Sequence, residues 1–552
     1  MGKPFKHIIS ARASRFAVMA ISLCLFLVVS ACASTQSISE LSQDEWYEAR
    51  TEHFVVLVPR SAERARSLAL QLEEFRRFAI AYAELEILSD PLPFRIIGTY
   101  GGNAFNALVG RRDIFGAFDQ TYEGGLAVVN LAARAPDGTE DLEVTYTLFG
   151  PIYREKVNIR SVGLDGVFHE YVHYLLAIDQ RRRYPLWFNE GFAEFLSTFD
   201  LEGASSARIG KPPMHRVRVL DDVDLMPVGA LLNATGYDTG HGSGSFYAQA
   251  WLFVHYMLAD PERRQKLYTF LDALAERQVD AQPVLEQVLG MSASDLQSKL
   301  RRYQRSGRFH SEAIELAEAF RPEVEVRQVP LDEVQANLAT AMLTFTTDYS
   351  DAEQLLNAAL AADPLNVRAR VTLATLHLFR GELDQARELA RTAPKAIEGE
   401  SRILSLKAQL RVRDALLMFE AENQSWPEAL QEGRDIYRAA LAQNPREAEA
   451  YSGYARTFLL SENEGVPSRA YNALDRARQL LPTDFSLELV RGYLLLKEGR
   501  AEEALEAFEH IIAWSRTPDL VTKAREVRDY VVQQMDLQKQ QDAAGQEPTA
   551  GS

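Results

Sequence analysis

The pattern of apolar and polar positions divides this 552-residue chain into two parts. In the first part, β-branched apolar runs at residues 53–59, 94–100 and 124–133 predict strands. Residues 61–86 carry apolar side chains at helical spacing, which predicts a long helix. Strands and helices in this mixed order are typical of an α+β domain with a small sheet, which we place at residues 46–315.

From about residue 335 the pattern changes to helices rich in alanine and leucine. Similar stretches, each combining a turn with amphipathic helices, recur at residues 351–390, 434–460 and 473–508. They resemble tetratricopeptide repeats, which are helical hairpins that stack into a solenoid with a concave face. The resemblance implies an all-α solenoid over residues 335–535 that binds a protein partner. A generic helical domain is the alternative.

The N-terminal segment is typical of a targeting sequence. Four basic residues and no acidic one precede an apolar run at residues 16–29, which is short of the roughly 20 residues that span a bilayer. The next residues, VSAC, resemble the lipobox of bacterial lipoproteins. The resemblance implies removal of residues 1–31, lipidation of Cys32 and a tether at residues 32–45, with an ordinary signal peptide as the alternative. Ser34, by the sorting rule of such lipoproteins, implies an anchor at the periplasmic face of the outer membrane.

The charge pattern and the cysteine content argue against a nucleic-acid partner and against sites built from cysteine. The formal net charge of −17 is spread in mixed-sign patterns, and the run from Arg181 to Arg183 is short enough to be a solvated loop, so we expect no nucleic-acid partner. Both cysteines, Cys24 and Cys32, lie in the N-terminal segment, which argues against disulfides and a cysteine zinc site. Residues 536–552 are polar and of low complexity, which predicts a disordered tail.

Two short motifs indicate metal chemistry. The first is HEYVH, with His169, Glu170 and His173 in an apolar helical run. Residues four apart share a helix face, so both imidazoles can bind one metal ion while the glutamate faces a metal-bound water. The second motif is NEGFAE, which places Glu190 and Glu194 four apart. Two acids in an apolar helix should not be buried unless they are paired or bind metal, and the histidine pair offers that site.

Together, the two motifs resemble those of the gluzincin metallopeptidases, which include thermolysin. The resemblance implies Zn²⁺ held by His169, His173 and Glu190. It implies that Glu170 is the general base and that Glu194 orients a ligand histidine. The expected fold is then an α+β gluzincin-like domain, and the expected activity is hydrolysis of a protein or peptide substrate by zinc-activated water.

A third segment, SFYAQAWLFVHYML, resembles the helix of the related aminopeptidases whose tyrosine stabilises the oxyanion, which implies that role for Tyr247. A plain core tyrosine is the alternative, with His241 and His255 as substitutes. In those aminopeptidases a glutamate in GxMEN holds the free amine of the substrate, but here GGLAVVN has Ala127 at that place. We therefore expect an endopeptidase in which the strand at residues 124–131 pairs with an extended substrate. An inactive gluzincin-like scaffold is the alternative function.

Overall fold

The structure of the protein is a computed structural model. It describes residues 38–87, 90–111, 116–131, 161–179, 181–182, 184–202, 206–234, 243–277, 281–316, 322–460, 465–515 and 517–545. An α+β region comes first and a helical solenoid follows, as the sequence predicts. The segment with Cys32 lies outside the described residues, as does His241. Within the described ranges, no helix combines the length and the apolar character needed to cross a bilayer.

The strands of the α+β region form two sheets. They are β1 (Trp46–Arg50), β2 (Phe54–Pro59), β3 (Phe94–Thr99), β4 (Gly116–Thr121), β5 (Gly124–Asn130), β6 (Asp200–Leu201), β7 (Ser206–Ile209), β8 (Glu312–Glu315) and β9 (Glu325–Val329). The main sheet has the order β4-β5-β3-β2-β1-β9, and the small one has the order β6-β7-β8. In the main sheet β2, β3 and β5 are mutually parallel, whereas the outer pairs are antiparallel.

Helices cover both faces of the main sheet. Those of the α+β region are α1 (Ile38–Ser42), α2 (Ala62–Ala83), α3 (Gly102–Val109), α4 (Ser161–Ile178), α5 (Leu186–Leu196), α6 (Met214–Asp222), α7 (Val228–Leu232), α8 (Ser243–Leu258), α9 (Pro261–Arg277), α10 (Ala281–Leu289) and α11 (Ala293–Ser306). Val56 and Val58 point into the core that contains α2 and α4, while Val55 and Leu57 point into a second core with α3. Burial on both faces explains why these strands read as continuous apolar runs.

The solenoid consists of antiparallel helical hairpins. Its helices are α12 (Leu331–Phe345), α13 (Ser350–Ala362), α14 (Val367–Phe379), α15 (Leu383–Arg391), α16 (Ser401–Glu420), α17 (Trp426–Gln443), α18 (Ala448–Leu460), α19 (Ser468–Leu480), α20 (Ser486–Lys497), α21 (Ala501–Trp514) and α22 (Pro518–Gly545). Consecutive helices pack as the pairs α12–α13, α14–α15, α16–α17, α18–α19 and α20–α21. Each hairpin buries its apolar side chains against its neighbours, as expected of stacked repeats.

The two regions share a hydrophobic core. Val334 and Leu338 of α12 pack with Val55 and Val128 of the main sheet, so the first solenoid helix covers the sheet face opposite α4. Strand β9 pairs with β1 and lies in the interval 316–334, which the sequence prediction assigns to neither domain. A single residue separates β9 from α12.

Three predictions need correction. Strand β5, expected to pair with substrate, is an interior strand whose two edges are used by β3 and β4. The tail expected to be disordered from residue 536 is helical to Gly545, because its glutamines, lysine and alanines favour helix. The expected solvated loop contains a buried arginine, Arg182, whose Nε donates to Asp272 at 2.5 Å and whose guanidinium lies over the ring of Tyr268.

Candidate metal centre and active site

Two adjacent helices carry the clustered histidines and glutamate. Helix α4 presents His169 and His173 one turn apart, and α5 begins after Pro185, a residue suited to the start of a helix. Trp187 and Phe192 of α5 are fully buried in the apolar core. Glu190 and Glu194, four residues apart on the same helix, each lie beside a ring nitrogen of His169.

The cluster consists of three side chains whose ligand atoms all lie within 4.8 Å of one another: His169, His173 and Glu190. The two Nε2 atoms are 3.0 Å apart. Glu190 Oε2 lies 3.5 Å from His169 Nε2 and 3.3 Å from His173 Nε2. The arrangement therefore turns two imidazole nitrogens and one carboxylate oxygen toward a common point.

The other ring nitrogen of His173 fixes its tautomer. Nδ1–H of His173 donates to Asn189 Oδ1 at 2.6 Å, which leaves Nε2 with its lone pair facing the cluster. A ligand histidine usually has such an outer partner, since the bond sets both the tautomer and the ring orientation. Asn189 precedes Glu190 directly, so one turn of α5 supplies both a cluster member and the residue that orients another.

Glu194 contacts arginine more closely than histidine. Its Oε1 accepts hydrogen bonds from Arg216 Nε at 2.9 Å and Nη2 at 2.5 Å, whereas His169 Nδ1 is 3.7 Å away. Burial opposes ionisation of Glu194, but the charges of Arg216 and His169 hold its pKa below the ordinary value. Glu194 is expected to orient His169, but in the structure its carboxylate also binds the guanidinium of Arg216. The sequence alone does not predict this arginine.

The electrostatics of the cluster favour a bound cation. Burial lowers the pKa of His169, yet Glu190, Glu194 and Glu170 together raise it above its ordinary value. Three carboxylates around one partly buried imidazole therefore create a negative potential at this point. A divalent metal ion would meet the same potential.

Glu170 lies on α4 beside the first strand residue of β4. Its Cγ is 3.9 Å from the place that a Cβ on Gly116 would occupy, so the start of β4 runs past this carboxylate. In the described part of the chain, β4 pairs only with β5 and is the outermost strand of the main sheet. The glutamate of HEYVH is therefore next to a sheet edge.

Tyr247 and His255, two residues named as oxyanion candidates, have different surroundings. The ring of Tyr247 packs under the guanidinium of Arg216 at 4.8 Å, which connects it to Glu194. His255 is fully buried, with Nε2 2.9 Å from the Gly210 carbonyl and Nδ1 2.9 Å from the Tyr303 hydroxyl. Burial lowers the pKa of His255 to about 4. His255 is thus a core histidine with both nitrogens used.

Gly191 allows a very close approach between α5 and α8. A Cβ at this position would lie 2.3 Å from the Ala250 carbonyl oxygen and 2.8 Å from Val254 Cγ2. Only a residue without a side chain permits this backbone contact. Because Gly191 follows Glu190, the contact also sets the position of Glu190 relative to α8.

Two family models match separate parts of the chain. A family described as tetratricopeptide repeat matches residues 347–410. The C-terminal part is a tetratricopeptide-like helical solenoid. A family described as a protein of unknown function (DUF1570) matches residues 164–280, which include the whole histidine–glutamate cluster. No curated protein matches the chain.

Solved tetratricopeptide structures are similar at low identity. The thermophilic tetratricopeptide protein TTC0263 of Thermus thermophilus is 20% identical with a TM-score of 0.31, over 35% of this chain and 97% of that one. YrrB, described as having an unusual peptide-binding site, is 14% identical with a TM-score of 0.23, over 35% and 91%. Yeast Tom70 is 14% identical with a TM-score of 0.28, over 56% and 64%. With TM-scores below 0.5, these likenesses carry no argument about the whole chain.

Proposed function

We propose that this protein is a zinc-dependent metallopeptidase of the gluzincin type. The observation that carries the proposal is the cluster of His169, His173 and Glu190 with Glu170 on the same helix. Each part has a structural support of its own: a fixed tautomer for His173, a buried carboxylate in Glu190, and a sheet edge beside Glu170.

The donor set fits zinc in both chemistry and spacing. In a tetrahedral site with metal–ligand distances of about 2.0–2.2 Å, neighbouring ligand atoms lie about 3.3–3.6 Å apart. The separations in the cluster are 3.0, 3.3 and 3.5 Å. Two imidazoles and one carboxylate are also the protein ligands of known catalytic zinc sites, which keep a fourth position open.

The side chains of this protein then divide the work of hydrolysis. Zinc, when bound, supplies Lewis-acid polarisation and a water of lowered pKa. Glu170 accepts the proton of the attacking water and delivers it to the leaving amine. Tyr247 donates a hydrogen bond to the carbonyl oxygen as negative charge develops on it. Arg216 donates to Glu194 and packs over the Tyr247 ring, so it holds these two side chains in fixed positions relative to each other.

The surroundings of the site favour internal peptide bonds of extended substrates. Ala127 of β5 is fully buried between Ile96 and Phe118, its neighbours in the sheet, and its methyl group offers nothing to a free amine. Strand β4, at the sheet edge beside Glu170, replaces β5 as the strand that pairs with substrate by β-augmentation. Amino-acid anilides are therefore expected to be poor substrates.

The N-terminal segment and the solenoid indicate where the enzyme is anchored and what it binds. Cys32 in VSAC supports a lipid anchor at the periplasmic face of the bacterial outer membrane. The solenoid supports binding of a protein partner, since stacked repeats of this kind present extended binding surfaces.

The test compares the same substitution at two glutamates in the full-length protein. Glu170→Gln should keep the zinc content of the wild type but lower turnover of labelled casein by about 10²- to 10⁴-fold, because it removes the general base. Glu190→Gln should lose the zinc itself, since a ligand is replaced. Zinc is measured by mass spectrometry and turnover by fluorescence release.

Three different results would each contradict a different part of the proposal. Full turnover in Glu170→Gln would overturn the assigned base, and full zinc occupancy in Glu190→Gln would overturn the assigned ligand. A wild-type protein that binds zinc but hydrolyses neither casein nor unfolded peptides would favour the inactive scaffold.

A further inference from the structure

The turn that joins β4 to β5 is rigid and points at the solenoid. It consists of two residues, Tyr122 and Glu123. The Thr121 hydroxyl donates to the Gly124 carbonyl at 2.8 Å and accepts from the Glu123 backbone N–H at 3.2 Å. Gly124 has φ of 110°, a conformation that favours glycine. The direction of the two turn side chains is therefore fixed by the strands.

The carboxylate of Glu123 is held by three arginines. Arg368 of α14 donates from Nε to both oxygens at 3.1 and 3.0 Å, and Arg402 of α16 pairs at 2.8 Å. Arg95 of β3 lies 3.5 Å away, and Asn337 of α12 accepts hydrogen bonds from Arg95 and Arg368. Burial alone would raise the pKa of Glu123, but the three guanidinium groups hold it well below its usual range. This acid is an ionised anchor between the two regions.

The anchor and its arginines contact the same helix of three successive hairpins. Its partners come from α12, α14 and α16, the first helices of three successive hairpins. The Thr483 hydroxyl, next to α20, donates to Gln120 Oε1 of β4. The β4–β5 hairpin therefore packs against several successive repeats of its own chain.

The two ends of β4 thus have different neighbours. Its first residue, Gly116, runs past Glu170, and its last leads into the turn held by the arginines. At about 3.3 Å per residue, the six residues of β4 span roughly 20 Å between the Glu170 end and the turn. We propose that Glu123 is a positioning residue through which the solenoid holds the substrate-pairing edge of β4 beside Glu170. The inference rests on the proposed peptidase function and adds to it a role for the repeats inside the enzyme.

The first test measures the strand itself, in the full-length zinc-loaded protein. Glu123→Gln should speed amide hydrogen exchange in residues 116–121 by about 10- to 100-fold, the effect of losing a charge-assisted contact. The matched control is Glu333→Gln, which removes a different contact of the solenoid, to Arg327 of β9 at the opposite edge of the main sheet from β4. The control should leave exchange in residues 116–121 unchanged.

The second test separates positioning from loss of folded protein. Glu123→Gln should raise KM for an extended peptide about 10-fold, with zinc content and kcat within about twofold of the wild type, because only substrate pairing changes. A merely structural role would lower kcat through the folded fraction and leave KM unchanged. Arg368→Gln should raise KM by the same factor as Glu123→Gln. The KM of the double variant should be no higher than that of either single variant.

The inference is overturned if residues 116–121 of Glu123→Gln exchange like those of the wild type, or if they exchange equally fast in Glu333→Gln. Additive effects of the Glu123 and Arg368 substitutions on KM would also overturn it. Failure of the proposed function looks different: the wild type hydrolyses nothing, while the exchange experiment still decides whether the solenoid holds β4.

Discussion

Replacing Gly191 by alanine tests the close contact between α5 and α8, which sets the position of the neighbouring Glu190. The added Cβ would lie 2.3 Å from the Ala250 carbonyl oxygen, about 1 Å short of ordinary contact. The two nearest opposing atoms, the carbonyl oxygen and carbon of Ala250, are helix backbone, so α5 must move away from α8. Overpacking of this kind costs about 1–3 kcal/mol, and contact with backbone favours the upper end. For a large domain about 3 kcal/mol corresponds to a fall in Tm of roughly 6 °C.

The same displacement should weaken zinc binding. Metal–ligand distances tolerate deviations of about 0.2 Å, and the neighbouring residue Glu190 would move by several times that amount. We expect the zinc affinity of Gly191→Ala to fall by at least about 10-fold, as measured by chelator competition beside thermal unfolding followed by circular dichroism. The matched control is Gly166→Ala on α4, where a Cβ would contact nothing within 4 Å. That variant should keep its zinc and gain up to about 1 kcal/mol from helix propensity. Wild-type Tm and zinc affinity in Gly191→Ala would refute the close approach of α5 to α8.

Three further predictions concern separate parts of the chain. Asn189→Ala should lower zinc affinity by about 10- to 100-fold in chelator competition, since His173 loses its orienting partner, and an unchanged affinity would contradict that role. Burial raises the pKa of Glu449 from 4.5 to about 7, so the folded chain retains a proton that the unfolded chain loses as pH rises through this interval. Glu449→Gln should therefore stabilise the protein by about 1–3 kcal/mol at pH 8 and by nothing near pH 4, and an advantage independent of pH would count against the assignment. Cys32→Ser should abolish incorporation of labelled palmitate, whereas label retained by this variant would exclude lipidation at that residue.

Local spacing accounts for the parts of the site that the sequence reveals. His169 and His173 are four residues apart on a helix, and Glu190 follows on the next helix after a short connection. Under these conditions chain geometry leaves few alternatives, and the three side chains do come together in the structure. The α+β region and the solenoid are predictable for a related reason, because apolar periodicity reports the local secondary structure.

Residues that act across long separations carry no such signal. Arg216 reaches Glu194 from a different helix, and nothing in its neighbourhood marks it among the many arginines of the chain. Glu123 and Arg368 are 245 residues apart, and their contact exists only once the solenoid folds over the sheet. The order of strands is equally non-local, since the short connection from β4 to β5 does not reveal which of them is the edge. Asn189 is the exception, because a polar residue directly before a ligand glutamate could have been recognised as an orienting group.

The late position of β9 in the chain sets the order in which the protein can mature. Until synthesis has passed residue 329, β1 remains an open strand edge, and until α12 emerges the sheet face that carries Val55 and Val128 stays exposed. Open edges and bare apolar faces promote aggregation, so a chain interrupted at this stage is expected to be degraded rather than to accumulate as a free α+β fragment. The helices that carry the histidine–glutamate cluster therefore reach their final support only in chains that have already begun their repeats.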